Sequence, residues 1–90
     1  MNPPPPMIDN ARVLSWAWAG DEPFGFCGDI PVYGFAVCRY DCGELYRFSC
    51  DRAWETVNDS DHDDEETAKR SIPLNYLSSA NRIVWHKTGT

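Results

Sequence analysis

Residues 32–51, VYGFAVCRYDCGELYRFSCD, hold two runs of strand composition on either side of Asp41-Cys42-Gly43, where glycine can supply the positive φ of a tight turn. The stretch reads as a β-hairpin, 32–40 against 44–51, and the rest of the fold is built outward from it. Pairing Tyr40 with Leu45 would place Phe35, Val37, Tyr46 and Phe48 on one face with Arg39 and Cys50, and Cys38 on the other. Upstream, Val13–Trp18 alternates, with Leu14, Trp16 and Trp18 on one side and Val13, Ser15 and Ala17 on the other. Residues 19–31 carry three glycines and two prolines and read as one long loop, in which Phe24, Phe26 and Cys27 stand among polar residues.

Downstream, Asp51-Arg52-Ala53 turns into a short fourth strand, Trp54–Asn58. A helix over 62–72 is predicted next, with Ser60 as its cap and Asp63 in the capping-box position. Glu65 to Lys69 and Glu66 to Arg70 are i,i+4 pairs worth about 0.2–0.5 kcal/mol each in an isolated helix. Ala68 and Ile72 are its apolar positions, so it packs lightly on the sheet. Pro73 stops it, Leu74, Tyr76 and Leu77 form a further turn, and Ile83–Lys87 is the last strand. The expected class is α+β: a small antiparallel sheet in the order β-β-β-β-α-β, a meander followed by one helix laid on one face. The last strand has no assigned place in the sheet and could pair in parallel.

Pro3–Pro6 make residues 1–10 an expected disordered, proline-rich tail, leaving residues 11–90 as a single domain, the natural count for 90 residues. No apolar run reaches the roughly 18 residues of a spanning helix, and no basic leader precedes an apolar core, so a cytoplasmic protein off the membrane is expected.

Charge is unevenly placed. Residues 1–58 carry a net −4, residues 59–66 carry −6, and residues 67–90 carry +4, so one short stretch accounts for as much charge as the whole chain. Affinity for nucleic acid comes from Lys and Arg neutralising phosphates, and 8 of these against 14 acids argue against it. In a helix start, Asp59, Asp61, Asp63, Asp64, Glu65 and Glu66 would lie where the helix dipole favours negative charge. The alternation of Asp59, Asp61 and Asp63 imitates a calcium loop, but Asp64 stands where that loop needs glycine and Arg70 where it needs glutamate.

The cysteines at 27, 38, 42 and 50 contain no C-x-x-C, which removes the usual zinc spacing. They are expected to be mostly buried and apolar in behaviour, with Cys42 exposed on the turn. Nucleophilic catalysis would need Cys27 or Cys42 beside His62 or His86. The acids around His62 should favour its charged form, which makes a poor base. No metal or other cofactor is expected.

These features lead to a small acidic protein-binding module, an inhibitor or immunity-like protein in character though in no motif, that recognises a basic protein. Asp59, Asp61, Asp63, Asp64, Glu65 and Glu66 would steer the partner, and Trp18, Phe24 and Phe26 would anchor it. The chain itself is expected to be a monomer or weak homodimer. The alternatives are an accessory structural subunit of a homodimer or larger assembly, and an enzyme of the Cys/His type.

Overall fold

A computed structural model of the chain describes residues 2–88. Its elements are β1 (Met7–Ile8), β2 (Ala11–Trp18), β3 (Gly25–Cys27), β4 (Ile30–Val32), β5 (Gly34–Arg39), β6 (Leu45–Cys50), β7 (Thr56–His62), α1 (Glu65–Arg70), a 3-10 segment (Leu74–Arg82) and β8 (His86–Lys87). The architecture is mostly β, a curled antiparallel sheet with one short helix. The larger sheet runs β1-β2-β5-β6-β7, and β8 joins β2 on the edge that β1 also uses. β3 and β4 form a separate small hairpin. No helix among the described residues is long and apolar enough to cross a membrane.

The central hairpin forms where expected, one residue out of the expected register. Arg39 lies opposite Leu45, and Tyr40 exchanges backbone bonds with Glu44 and Gly43 at 2.9 Å. Asp41-Cys42-Gly43 is a three-residue turn with Gly43 at φ +99, the form whose left-handed glycine absorbs the extra residue. Side chains alternate along a strand, so the shift exchanges partners across the sheet. Ala36, Cys38, Tyr46, Phe48 and Cys50 share one face, while Phe35, Val37 and Leu45 share the other. Cys38 and Cys50 therefore lie on the same face, and both are free thiols.

In β2 a bulge between Val13 and Ser15 resets the alternation. Val13 joins Trp16 and Trp18 on the first face, and Leu14 packs on the second, the reverse of a straight strand.

Two further hairpins replace segments expected to be irregular. The 19–31 stretch contains β3 and β4 around Gly28-Asp29, with Gly28 at φ +61, a two-residue turn with glycine at its first position. The proline-rich tail becomes β1, joined to β2 through Asp9 and Asn10, both at positive φ as a type I′ turn requires. Ile8 is only 5% exposed, the carbonyl of Pro6 accepts from Val13 N–H at 3.0 Å, and that of Asn2 accepts from Trp54 Nε1 at 3.0 Å. Residues 7–10 thus form an ordered strand and turn on the sheet, with Asn2 and Pro6 bonded through their carbonyls to Trp54 and Val13, where a disordered tail was expected.

The acidic stretch also departs from expectation. Strand β7 runs to His62, so Asp59 and Asp61 are strand residues opposite Phe48 and Tyr46, and Ser60 lies opposite Arg47. The helix starts later and is shorter than 62–72. Asp64, not Ser60, is its cap, accepting from Thr67 N–H at 2.8 Å. Trp54 stands in the turn before β7 at φ +64, and β8 spans only His86–Lys87, pairing antiparallel with Ser15 and Trp16.

Two apolar layers flank the sheet. One gathers Val13, Trp16, Ala36, Phe48 and Trp54 under the N-terminal segment. The other gathers Phe24, Val32, Phe35 and Tyr76, extended by Val37, Leu45 and Ala68, beneath the small hairpin, the 3-10 segment and α1. Arg82 stitches this second cover together, donating to the carbonyls of Ala19 at 3.1 Å and Pro23 at 2.8 Å.

Candidate functional site

The six acids of residues 59–66 do not act as one group. Asp59, Asp61, Asp63, Asp64 and Glu66 are exposed. Asp64 is occupied as the helix cap, and that hydrogen bond to Thr67 holds its carboxyl below the usual range. Glu65 turns inward, accepting from the buried Ser15 hydroxyl, from Lys87 at 2.7 Å and from Lys69 at 3.5 Å. Its assigned part in steering a partner gives way to a structural one, because it ties α1 to β2 and β8.

Burial raises the Glu65 pKa, but its bonds to Lys87 and Ser15 and the charge of Lys69 outweigh that and hold it below the ordinary value. A depressed carboxyl stabilises the fold at neutral pH, and that contribution is lost as pH falls through and below the ordinary glutamate range, near about 4.3. Glu65→Ala is expected to cost about 1–3 kcal/mol in denaturant unfolding at pH 7, because it orphans the Ser15 hydroxyl, and distinctly less at pH 3.

The proposed aromatic anchors separate as well. Phe24 is 1% exposed and stacks on Phe35 with ring centroids 4.9 Å apart, so it is core and not an anchor. Phe26 is 53% exposed on β3, with Asn75 donating to its carbonyl at 2.8 Å. Trp18 is half-buried at the Gly34 end of the sheet, away from Asp59 and Asp61.

A different pair of rings meets the acids. Tyr40 and Tyr46 pack edge to face at 5.5 Å, and Tyr46 stacks on Phe48 at 6.1 Å. The Tyr40 hydroxyl is pushed up by burial and then by Asp9, Tyr46 and Asp59, and that of Tyr46 by Glu44, burial, Asp61 and Asp59. Asp61 and Asp59 on β7 lie opposite Tyr46 and Phe48, and Glu44 bonds the Tyr40 backbone in the adjoining turn, so exposed carboxylates flank two half-buried phenol rings toward the turn end of the β5–β6 hairpin, with the charge of the exposed Asp9 also felt at Tyr40. None of the four pairs with a Lys or Arg among the described residues. Sequence reasoning missed this grouping because the displaced register put Phe35 and Val37 beside Tyr46. The turn glycine was the available signal, since a three-residue loop pairs Tyr40 with Glu44.

The thiols and histidines are dispersed. Burial pushes Cys38 and Cys50 up to about 12, so neither is a thiolate near neutral pH. Cys27 is half-buried and Cys42 exposed, and no hydrogen bond joins a cysteine to a histidine among the described residues. His62 meets the Ser60 hydroxyl at 2.8 Å. Its pKa is lowered, first by burial and then by Arg47, against the opposing pull of Asp61 and Asp63, which reverses the expected charged form. No group of three or more His, Cys, Asp or Glu among the described residues could hold a metal ion.

At the opposite end of the sheet an open cleft of about 590 Å³ is lined by Asn2, Trp18, Gly20, Asp21, Arg52 and His86. No protein-family model, curated protein or solved structure was found to match the chain.

Proposed function

We propose that the chain is a small protein-binding module that receives a basic protein segment on the acidic, tyrosine-bearing face at the turn end of the β5–β6 hairpin. The observation that carries this reading is the Tyr40–Tyr46 ring pair with Asp59 and Asp61 on the neighbouring strand and Glu44 in the adjoining turn. Lysine and arginine side chains are attracted both to carboxylates and to the faces of aromatic rings, and the two together select a cation more strongly than surface charge alone. The exposed Asp63 and Glu66 add to the negative charge of the molecule, which speeds encounter with a basic partner at low salt.

Binding of a ten-residue poly-arginine peptide separates this face from general acidity. Asp59→Asn with Asp61→Asn is expected to slow association about fivefold or more at low ionic strength. Asp21→Asn with Asp29→Asn, which removes the same charge elsewhere, should change it little. Equal slowing by the two pairs would overturn the assignment of the site.

A further inference from the structure

The cleft beside Trp18 has a separate chemistry. Asp51 shapes the turn that carries the cleft residue Arg52: its carboxylate accepts from the N–H groups of Ala53 and Glu55, both at 2.9 Å. The Arg52 guanidinium lies 4.4 Å from the centre of the Tyr33 ring, held by the ring face and not by an acid. It makes no hydrogen bond or ion pair among the described residues, so its fork of donors is uncommitted. Trp18 packs on Tyr33 at 5.8 Å and on Trp54 at 5.4 Å, which leaves a braced indole lining the cleft. The His86 ring is steadied against Trp16 at 4.5 Å, and its nitrogens have no protein partner among the described residues. Gly20 and Asp21 form the rim, and a Cβ placed on Gly20 would meet nothing within 4 Å.

We infer that this cleft binds a small planar ring carrying an anionic group, with the ring on Trp18 and the carboxylate or phosphate on Arg52 and His86. A rigid aromatic platform with a planar fork of donors at its edge is the arrangement that such a ligand recognises. Its two halves engage a π face and a bidentate donor together. A volume of about 590 Å³ accommodates one or two fused rings with a short anionic arm. The site is independent of the basic-partner face, since Trp18 pairs with Gly34 at one end of β5 and Tyr40 follows its other end.

The test is a titration of the full isotope-labelled chain by NMR, following the Trp18 indole N–H and the Arg52 side-chain N–H. Adenosine monophosphate and indole-3-acetate are the phosphate and carboxylate probes, and adenosine is the uncharged control. Saturable shifts of both reporters with either charged probe are expected, and the probe that binds more tightly identifies the anion. Adenosine should bind about tenfold more weakly than its monophosphate, and Arg52→Gln should weaken the charged probe by a similar factor while Arg12→Gln does not. Lack of saturation by both charged probes at about 10 mM overturns the inference. Equal binding of adenosine and its monophosphate, or equal loss from the two arginine variants, overturns it as well.

Discussion

Replacing Arg47 by alanine is expected to destabilise the fold by about 3 kcal/mol. Arg47 is 4% exposed on β6, beneath the end of α1, and its Nη1 donates to the carbonyls of Ala68 at 2.8 Å and Ser71 at 2.7 Å. These carbonyls belong to the helix C-terminus, where they lack partners within the helix and where a cation is favoured by the dipole. No carboxylate among the described residues forms an ion pair with the guanidinium, and burial lowers its pKa. Two hydrogen bonds from a charged donor contribute roughly 1.5–3 kcal/mol each, and the cost of keeping the charge out of water offsets part of the sum.

Urea unfolding measures the loss, which is a large share of the 5–15 kcal/mol typical of a domain. Arg47→Met separates the causes, because it keeps the apolar stem but removes the donors. If methionine restores most of the stability, packing and not the bridge to α1 was responsible. The same variant should let the His62 pKa rise, since Arg47 is one of the groups that depress it. A loss below about 1 kcal/mol for Arg47→Ala would contradict the role given to the two carbonyl bonds.

Gly34→Ala is expected to cost a similar amount, about 3 kcal/mol, by overpacking. A Cβ at position 34 would stand 2.5 Å from Trp54 Cζ3 and 2.6 Å from Cη2. Trp54 has little freedom to withdraw, because it packs on Trp16 at 6.3 Å and Trp18 at 5.4 Å while Nε1 is held by the Asn2 carbonyl. Its backbone, at φ +64, already occupies a conformation that a bulky residue rarely adopts. The expected result in urea is a lower midpoint with an unchanged slope, together with altered tryptophan emission. In the double variant Gly34→Ala with Trp54→Leu the two effects should be clearly non-additive, because the smaller side chain removes the clash. Strict additivity would show that Gly34 matters for its backbone and not for the ring above it.

Local patterns in the chain were enough for the antiparallel hairpin, the strand over Val13–Trp18, the exposed Cys42 turn and the packing of Ala68, since each follows from alternation, turn composition or a short apolar spacing. The errors came where one residue of register decided everything. Asp41-Cys42-Gly43 pairs Tyr40 with Glu44 once Gly43 is read as the left-handed third residue, and that single step moves Tyr46 from Phe35 and Val37 to Ala36 and Cys38. Asp9-Asn10 and Gly28-Asp29 likewise carried two-residue turn signals, and they lay inside segments judged irregular from their prolines and glycines. Ser60 and Asp64 compete as helix caps on equal local terms. The pairing of Asp59 and Asp61 with β6 keeps Ser60 in a strand and hands the cap to Asp64.

For the candidate sites the division is sharper. Composition and order along the chain were sufficient to show a concentrated negative charge and an abundance of aromatic residues. Which carboxylates remain free was a tertiary matter: Glu65 is consumed by Ser15, Lys87 and Lys69, residues from 4 to 50 positions away, while Asp59 and Asp61 come to lie opposite Phe48 and Tyr46 only through strand pairing. The cleft is likewise assembled from residues 2, 18, 20, 21, 52 and 86. The physical reason is the same in both cases. A strand's neighbours are chosen by hydrogen-bond register and by burial on each face, and these depend on residues distant in the chain that no local pattern brings together.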